Sequence, residues 1–362
     1  MKINTANVAY SSIVQIGENI AKIEKETGEK YLKLHRGVMD VCALDIESAG
    51  VSLDLNDLKL QQYSGNDGHP GLIEEIKSGF GLEDSHVLIT PGGMAALDLA
   101  INSLAEESVW IPNYHWGSWN KILVTHGKQL KPFNDFDLDA FSPKGGIVML
   151  CYPSNPTGYC PDLEAIKGFL IRSREAGTTV VLDLPYYYLF NEMEDSLSDF
   201  FFDNVIVISS FSKSIGLSGY RVGYVATKNE ALYQTMRIRS LYKYNSISTL
   251  PQHVVCELLK EKKAIAEYRK KTAESIKKNI MVLEMNGLLF DEYPSLPTGP
   301  FAVVNVSYDE LLKNKISSVP LSKFALNKNL KHECCSRISV AVDHRIFWEY
   351  FEKMLENKEA AV

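Results

Sequence analysis

A lysine at residue 213 closes the run SFSK (210–213), directly after the apolar stretch VIVISS (205–210), and an arginine follows eight residues later at 221. An amine at the end of a buried strand is costly unless it is paired or put to chemical use. Upstream, Asp183 sits in VVLDL (180–184) with Tyr186 three residues beyond. Asn155 lies in SNPTG (154–158), and Gly92–Gly93 follow VLIT (87–90). Each residue has an ordinary alternative. Lys213 reads as a solvated loop residue, Asp183 as a helix cap, Tyr186 as a core or interface aromatic, and the Asn and Gly segments as plain turns. Together they describe one chemistry. A lysine amine forms a Schiff base with an aldehyde cofactor, and a carboxylate keeps a pyridine nitrogen protonated. An arginine and serine beside bare helix-terminal amides cradle a phosphate. Pyridoxal 5′-phosphate needs that set in one crevice.

Such groups need a frame that gathers them. Between about 85 and 230, short apolar runs alternate with helical stretches. The runs are VLIT, VWIP (109–112), IVMLCY (147–152), VVLDL and VIVISS, bounded by Gly, Pro, Asn or Asp. Those at 147, 180 and 205 are apolar on both faces, which predicts strands covered by helices on each side. MAALDLAINSLA (94–105) predicts a helix after the glycine pair, and PDLEAIKGFLIRSREAG (161–177) a crossover helix stopped by Gly177. The pattern is a doubly wound α/β sheet, whose strand ends open onto a ligand crevice. Neither GxGxxG nor GxxxxGK[ST] occupies the first junction, so dinucleotide and P-loop readings lose ground. From residue 249 the texture changes. Residues 249–287 read as one long charged helix, PFAVVNV (300–306) and SRISVAV (336–342) as strands, and FWEYFEKMLE (347–356) as an amphipathic helix. The expected division is a large cofactor-binding domain over 46–260 and a smaller α+β domain from 1–45 and 261–362.

Composition narrows the partners. The 362 residues are 45% hydrophobic and 23% charged, as in an ordinary soluble globular protein. A net charge of −7 leaves no basic footprint for nucleic acid. No uninterrupted apolar stretch approaches the roughly 20 residues of a membrane span. Six cysteines (Cys42, Cys151, Cys160, Cys256, Cys334 and Cys335) lack metal-ligand or disulfide-framework spacing, and MKINTANVAYSSIV lacks the layout of a secretion signal. A reducing cytoplasm is the expected setting.

The series YSGNDGHPGL (63–72), ITPGGMAAL (89–97), PNYHWGSWNKILVTHG (112–127), NPTG (155–158), DLPY (183–186), SFSKSIGLSGYRVGY (210–224) and SRISVA (336–341) spans nearly the whole chain. In content and order it resembles the fold-type I, class I/II pyridoxal-phosphate aminotransferases. The resemblance implies a large, mostly parallel sheet sandwiched by helices, a smaller α+β domain, and ping-pong exchange between an α-amino acid and a 2-oxo acid. Lys213 then carries the cofactor as a Schiff base and shuttles a proton between Cα and C4′. Asp183 pairs with the ring nitrogen, and Asn155 and Tyr186 hydrogen-bond the phenolate oxygen. The backbone of Gly93 and Met94, with Ser210 and Arg221, binds the phosphate. Trp116 stacks on the ring, with Tyr114 as the competing choice. Arg337 pairs with the substrate carboxylate, its alternative being a surface strand arginine, and the backbone of Gly37 approaches the same group. Tyr63 reaches the neighbouring subunit's phosphate, which implies a homodimer. The same scaffold also hosts lyases, decarboxylases and cyclising synthases, so the reaction stays open at this level. A non-catalytic ligand sensor is disfavoured, since nothing before residue 45 resembles a helix-turn-helix. Two features depart from the family pattern. GGMA lacks the hydroxyl residue often found in the phosphate turn, and LPYYYLF (184–190) is rich in tyrosine that would suit a substrate pocket. Aromatics at Tyr114, Trp116, Trp119 and 186–188 together suit an apolar or aromatic substrate side chain.

Overall fold

Short apolar and β-branched runs build the central element. In the computed structural model, which describes residues 8–142, 144–190, 198–326 and 330–360, seven strands form one sheet. They are β1 His86–Thr90, β2 Ser108–Pro112, β3 Gln129–Phe133, β4 Ile147–Cys151, β5 Thr179–Asp183, β6 Val205–Ser210 and β7 Gly223–Thr227. Their spatial order is β1-β7-β6-β5-β4-β2-β3. Neighbours run parallel except at β7, which is antiparallel to both β6 and β1. The whole of β4 and β6 and all but the first residue of β5 are buried, as the two-faced apolar runs predict. Alternation then feeds two cores. Ile147, Met149, Val181, Ile206 and Ile208 face one apolar cluster, while Val148, Leu150, Val180, Leu182 and Val207 face the other.

Direction matters more than order for the site. The parallel strands β1, β2, β4, β5 and β6 deliver their C-terminal ends to one edge. Because β7 runs the other way, its first residue, Gly223, pairs with Thr90 and Ser210 at that same edge. Arg221, two residues before β7, therefore joins the rim. Two of these strands, β3 and β7, are not among the apolar runs of the sequence. The first, QLKPF, is a mostly exposed edge strand containing a proline, and the second hides in the glycine-rich motif after Lys213.

Nine helices of eight or more residues occur among the described residues: α1 Ser12–Thr27, α2 Pro70–Gly79, α3 Gly93–Ser103, α4 Gly117–Thr125, α5 Leu163–Glu175, α6 Glu230–Tyr244, α7 Thr249–Lys260, α8 Lys262–Met285 and α9 His344–Glu359. The expected crossover helix is α5. Asp162 caps its start by accepting from the Ala165 amide at 2.7 Å, and the chain leaves through Gly177 at φ 62°. The single helix expected over 249–287 is instead two. Glu261 breaks it at φ −88° and ψ 60°. Packing changes along the pair: α7 buries Val254, Val255 and Leu258 in one cluster, which α8 still meets through Ile265 before it buries Ile276, Ile280 and Leu283 in the other.

A second sheet is antiparallel, β8 Phe301–Val304, β9 Val319–Pro320 and β10 Ser336–Ser339, in the order β9-β10-β8. Leu32–Lys33 pairs with Ile316–Ser317 beside it, and the Asp40 amide bonds the Ala341 carbonyl, so the early chain is sewn to the late chain. Among the described residues no helix is long and apolar enough to cross a membrane. Residues 1–7 of the N-terminal stretch lie outside the described residues.

Candidate active site

At the rim where the strand ends meet lies a cavity of about 360 Å³, within the roughly 300–1,000 Å³ usual for small-molecule sites. One end is built from backbone. After β1 the chain turns through Gly92 at φ 92°, where any Cβ would run into the Arg221 guanidinium. Helix α3 starts immediately afterwards, so the amides of Gly93 and Met94 belong to a first turn with no intrahelical acceptors. Ser210 faces the same start, its hydroxyl 3.6 Å from where a Cβ on Gly93 would be. Arg221 itself is left-handed at φ 56° and donates to the Ser218 carbonyl at 2.8 Å. Gly93, Met94, Ser210, Ser212 and Arg221 all line the cavity. Positive charge and free amides converge there, a setting for an anion.

The middle of the cavity holds three titratable groups. Lys213 follows β6, and its Nζ donates to the Gly37 carbonyl. Burial, then the positive charges of Arg221, Arg337 and Arg36, hold this amine down to about 8. Asp183 ends β5, in register with Cys151 of β4 and Ile208 of β6. Burial pushes its carboxyl up to about 7, opposed by a hydrogen bond from Trp119. Tyr186 is buried, and Asn155 Nδ2 donates to its hydroxyl at 3.4 Å. Burial drives the Tyr186 phenol well above its ordinary range. The Asn155 Oδ1 is buried without a partner among the described residues. Trp116, the N-cap of α4, lines the cavity. Tyr114 does not; its hydroxyl meets Glu292 and His332 beside a separate cavity.

Arg337, on β10, forms the other end. It is 1% exposed, so the surface alternative does not hold. Its guanidinium lies between the rings of Phe301 (4.6 Å) and Phe324 (5.0 Å), and Nη2 donates to the His35 carbonyl at 3.0 Å. Nε and Nη1 have no partner among the described residues. Burial pushes this guanidinium down to about 10. A buried cation with no carboxylate and two unmet donors is unfavourable by itself. It is suited to an anionic group entering the cavity it lines. Gly37 lines the same end, against the Phe301 ring.

Lys213, Asp183, Tyr186, Asn155, Trp116, Gly93, Met94, Ser210, Arg221, Arg337 and Gly37 thus meet around one space. Tyr63 stands apart, 82% exposed and away from the cavity lining of its own chain. The tyrosine-rich segment differs from its expected role. Tyr187 packs on Tyr152 and Tyr188 on Phe80, both in the far core, and only Tyr186 reaches the cavity. A short helix at 187–190 turns those side chains away from the rim. Trp119 is likewise fully buried rather than lining the space. Residues the sequence does not single out also contribute: Phe301 under Arg337, Cys151 beside Asp183, and Ile13, Val14 and Val38 from the early chain. Only their three-dimensional neighbours identify them.

Known proteins share this arrangement of chain. The family model for aminotransferase class I and II matches residues 46–342. A probable aspartate aminotransferase of Methanocaldococcus jannaschii is 27% identical over 220 residues, a match that spans 56% of this chain and 58% of that protein. Histidinol-phosphate aminotransferase 1 of Idiomarina loihiensis is 25% identical over 289 residues, 77% of this chain and 72% of that protein. The solved structure of aspartate aminotransferase from Thermus thermophilus with maleate has the same fold at a TM-score of 0.79 and 19% identity, covering 98% of this chain and 100% of that one. With the family match running over most of its length, this chain belongs to the class I and II aminotransferases.

Proposed function

We propose that the protein is a pyridoxal-phosphate-dependent aminotransferase that moves an amino group between an α-amino acid and a 2-oxo acid in ping-pong fashion. One observation carries the reading: a half-buried lysine, and a fully buried arginine that has two unmet donors, share a cavity with a carboxylate and an anion cradle. These residues fit the cofactor. Glycine at 92 lets the Arg221 guanidinium close on the first turn of α3, which leaves a cradle of amides and positive charge open to a phosphate. When bound, pyridoxal phosphate supplies an aldehyde for amines and a ring that absorbs carbanion charge.

Each residue then has a task. The Gly93 and Met94 amides, Ser210 and Arg221 hold the phosphate, and Asp183 keeps the proton on the ring nitrogen. Trp116 packs on the ring face, while Asn155 and Tyr186 hydrogen-bond its phenolic oxygen. Arg337 grips the substrate carboxylate through two parallel hydrogen bonds, with the Gly37 backbone alongside. Lys213 Nζ takes and returns the proton at the substrate Cα, and an amine held to about 8 is partly neutral under working conditions. Among the described lining residues the cations are Lys213, Arg221 and Arg337, each already engaged. Ile13, Val14 and Val38 form an apolar wall. We therefore read the substrate side chain as uncharged.

The same reading makes 46–260 the cofactor-binding domain and 1–45 with 261–362 the smaller one. It also makes the working unit a cytoplasmic homodimer in which Tyr63, exposed on its own chain, completes the partner's phosphate site. The test is spectral. Adding an amino acid alone to the pyridoxal-phosphate-loaded protein should convert the cofactor spectrum, and a 2-oxo acid should restore it. A static spectrum ends the proposal. Release of ammonia without any oxo-acid acceptor would point to a lyase instead.

A further inference from the structure

Trp116 and Trp119 stand three residues apart in WGSW, at the first turn of α4. Trp116 is the extended N-cap and Trp119 lies in the first helical turn, its amide bonded to the Trp116 carbonyl at 2.9 Å. Trp116 lines the cavity, whereas Trp119 is completely buried and donates its indole Nε1–H to Asp183 Oδ2 at 3.2 Å. No other group among the described residues hydrogen-bonds this carboxylate. The neighbours that carry or exchange protons are Cys151 from β4, Tyr186 beyond β5, and Lys213, Arg221 and Arg337 across the cavity. On β6 the residue in register with Asp183 is the apolar Ile208. Burial keeps the Cys151 thiol and the Tyr186 phenol neutral.

An indole can donate but cannot accept, and it does not titrate. The oxygen it bonds is therefore an acceptor at every pH, so any proton on Asp183 must reside on Oδ1. A neutral donor also favours the ionised form of a carboxylate held in apolar surroundings. A backbone carbonyl in that place would select the acid. We infer that Trp119 is the positioning residue for Asp183: it occupies Oδ2, leaves Oδ1 to the cavity, and keeps the group the charged partner that a protonated ring nitrogen requires. One helix start thus supplies both the ring platform and the support for its counter-charge. This rests on the pyridoxal-phosphate reading above.

The dissociation constant of pyridoxal 5′-phosphate for the full chain, measured from acid to mildly alkaline pH, tests it. W119F should weaken binding about tenfold near neutrality, the loss of one hydrogen bond to a charged group. It should also move the acidic limb of the affinity profile to higher pH, because the carboxylate is then harder to ionise. W119H, which keeps an N–H donor, should recover binding to within about threefold of the unaltered protein. In an Asp183→Asn background, W119F should change affinity less than about twofold. An unshifted acidic limb, or a full tenfold loss that persists beside Asn at 183, overturns the inference even if the melting temperature falls. Should W119F not fold, W119H decides: a loss as large as that of D183N overturns it. Failure of the unaltered protein to bind pyridoxal phosphate contradicts the functional reading instead.

Discussion

The two ends of the cavity each present an arginine, and the two are built in opposite ways. Arg221 is exposed, left-handed, and bonded to neighbouring carbonyls, and it shares its anion site with amides of a helix start. Arg337 is buried between two phenylalanines, bonded once, and left with two unmet donors. A cradle made of backbone spreads its contribution over several groups. A single buried cation does not, and its hydrogen bonds are completed only when a ligand arrives. The first design suits a group that stays, the second a group that comes and goes.

Lys213 lies between the two ends, and its loss should have the largest effect. K213A should lower turnover more than about a thousandfold while leaving both anion sites in place, so phosphate-end affinity survives as measured by equilibrium dialysis. Next comes the buried arginine. R337Q should lower kcat/KM for amino acids by about 10²–10³-fold, and cofactor affinity should stay within about threefold. R337K should fall nearly as far, because an ammonium cannot form the paired hydrogen bonds. Equal losses in cofactor and amino-acid binding would break the division of labour. The reverse pattern belongs to the exposed arginine: R221Q should weaken pyridoxal-phosphate affinity about tenfold and spare the amino-acid KM at saturating cofactor.

The smallest effect is on stability of the cofactor-free protein. Lys213 is held down to about 8 from 10.5, so between those values the folded chain binds fewer protons than the unfolded one. Stability from this group is lacking below about 8 and is regained as pH rises towards 10.5. Asp183 is raised from 3.8 to about 7, so the folded chain keeps a proton that the unfolded chain has lost, and stability falls as pH climbs through that window. K213M should therefore raise the melting temperature near neutrality with a gain that fades in alkali. D183N should flatten the decline between acid and neutral pH. Calorimetry across pH reads both.

Much of this site is legible in the sequence. Lys213, Asp183 and Asn155 each lie at or just beyond the end of an unbroken apolar run, and parallel strands must bring such ends together. The helix over 161–177 is marked by its periodicity and its glycine stop, whereas its Asp162 cap emerges only in the structure. Other features depend on directions that residue types do not carry. The reversal of β7, which brings Arg221 to the rim, shows no apolar signature of its own. The break at Glu261 has no glycine or proline to mark it, and beyond it α8 runs from one core into the other. Which way Tyr187 and Tyr188 point, and what Trp119 touches, are set by a short helix and a strand end that local pattern cannot rank. Tyr63, exposed and outside its own chain's cavity lining, is placed by the fold and not by its residue type.

The central claim is that the Lys213 amine is the cofactor's anchor, and peptide mass spectrometry tests it most directly. After incubation with pyridoxal 5′-phosphate and reduction with borohydride, digestion should yield one modified peptide, labelled at Lys213. An unlabelled Lys213, with the mass found on another lysine or on none, would contradict it.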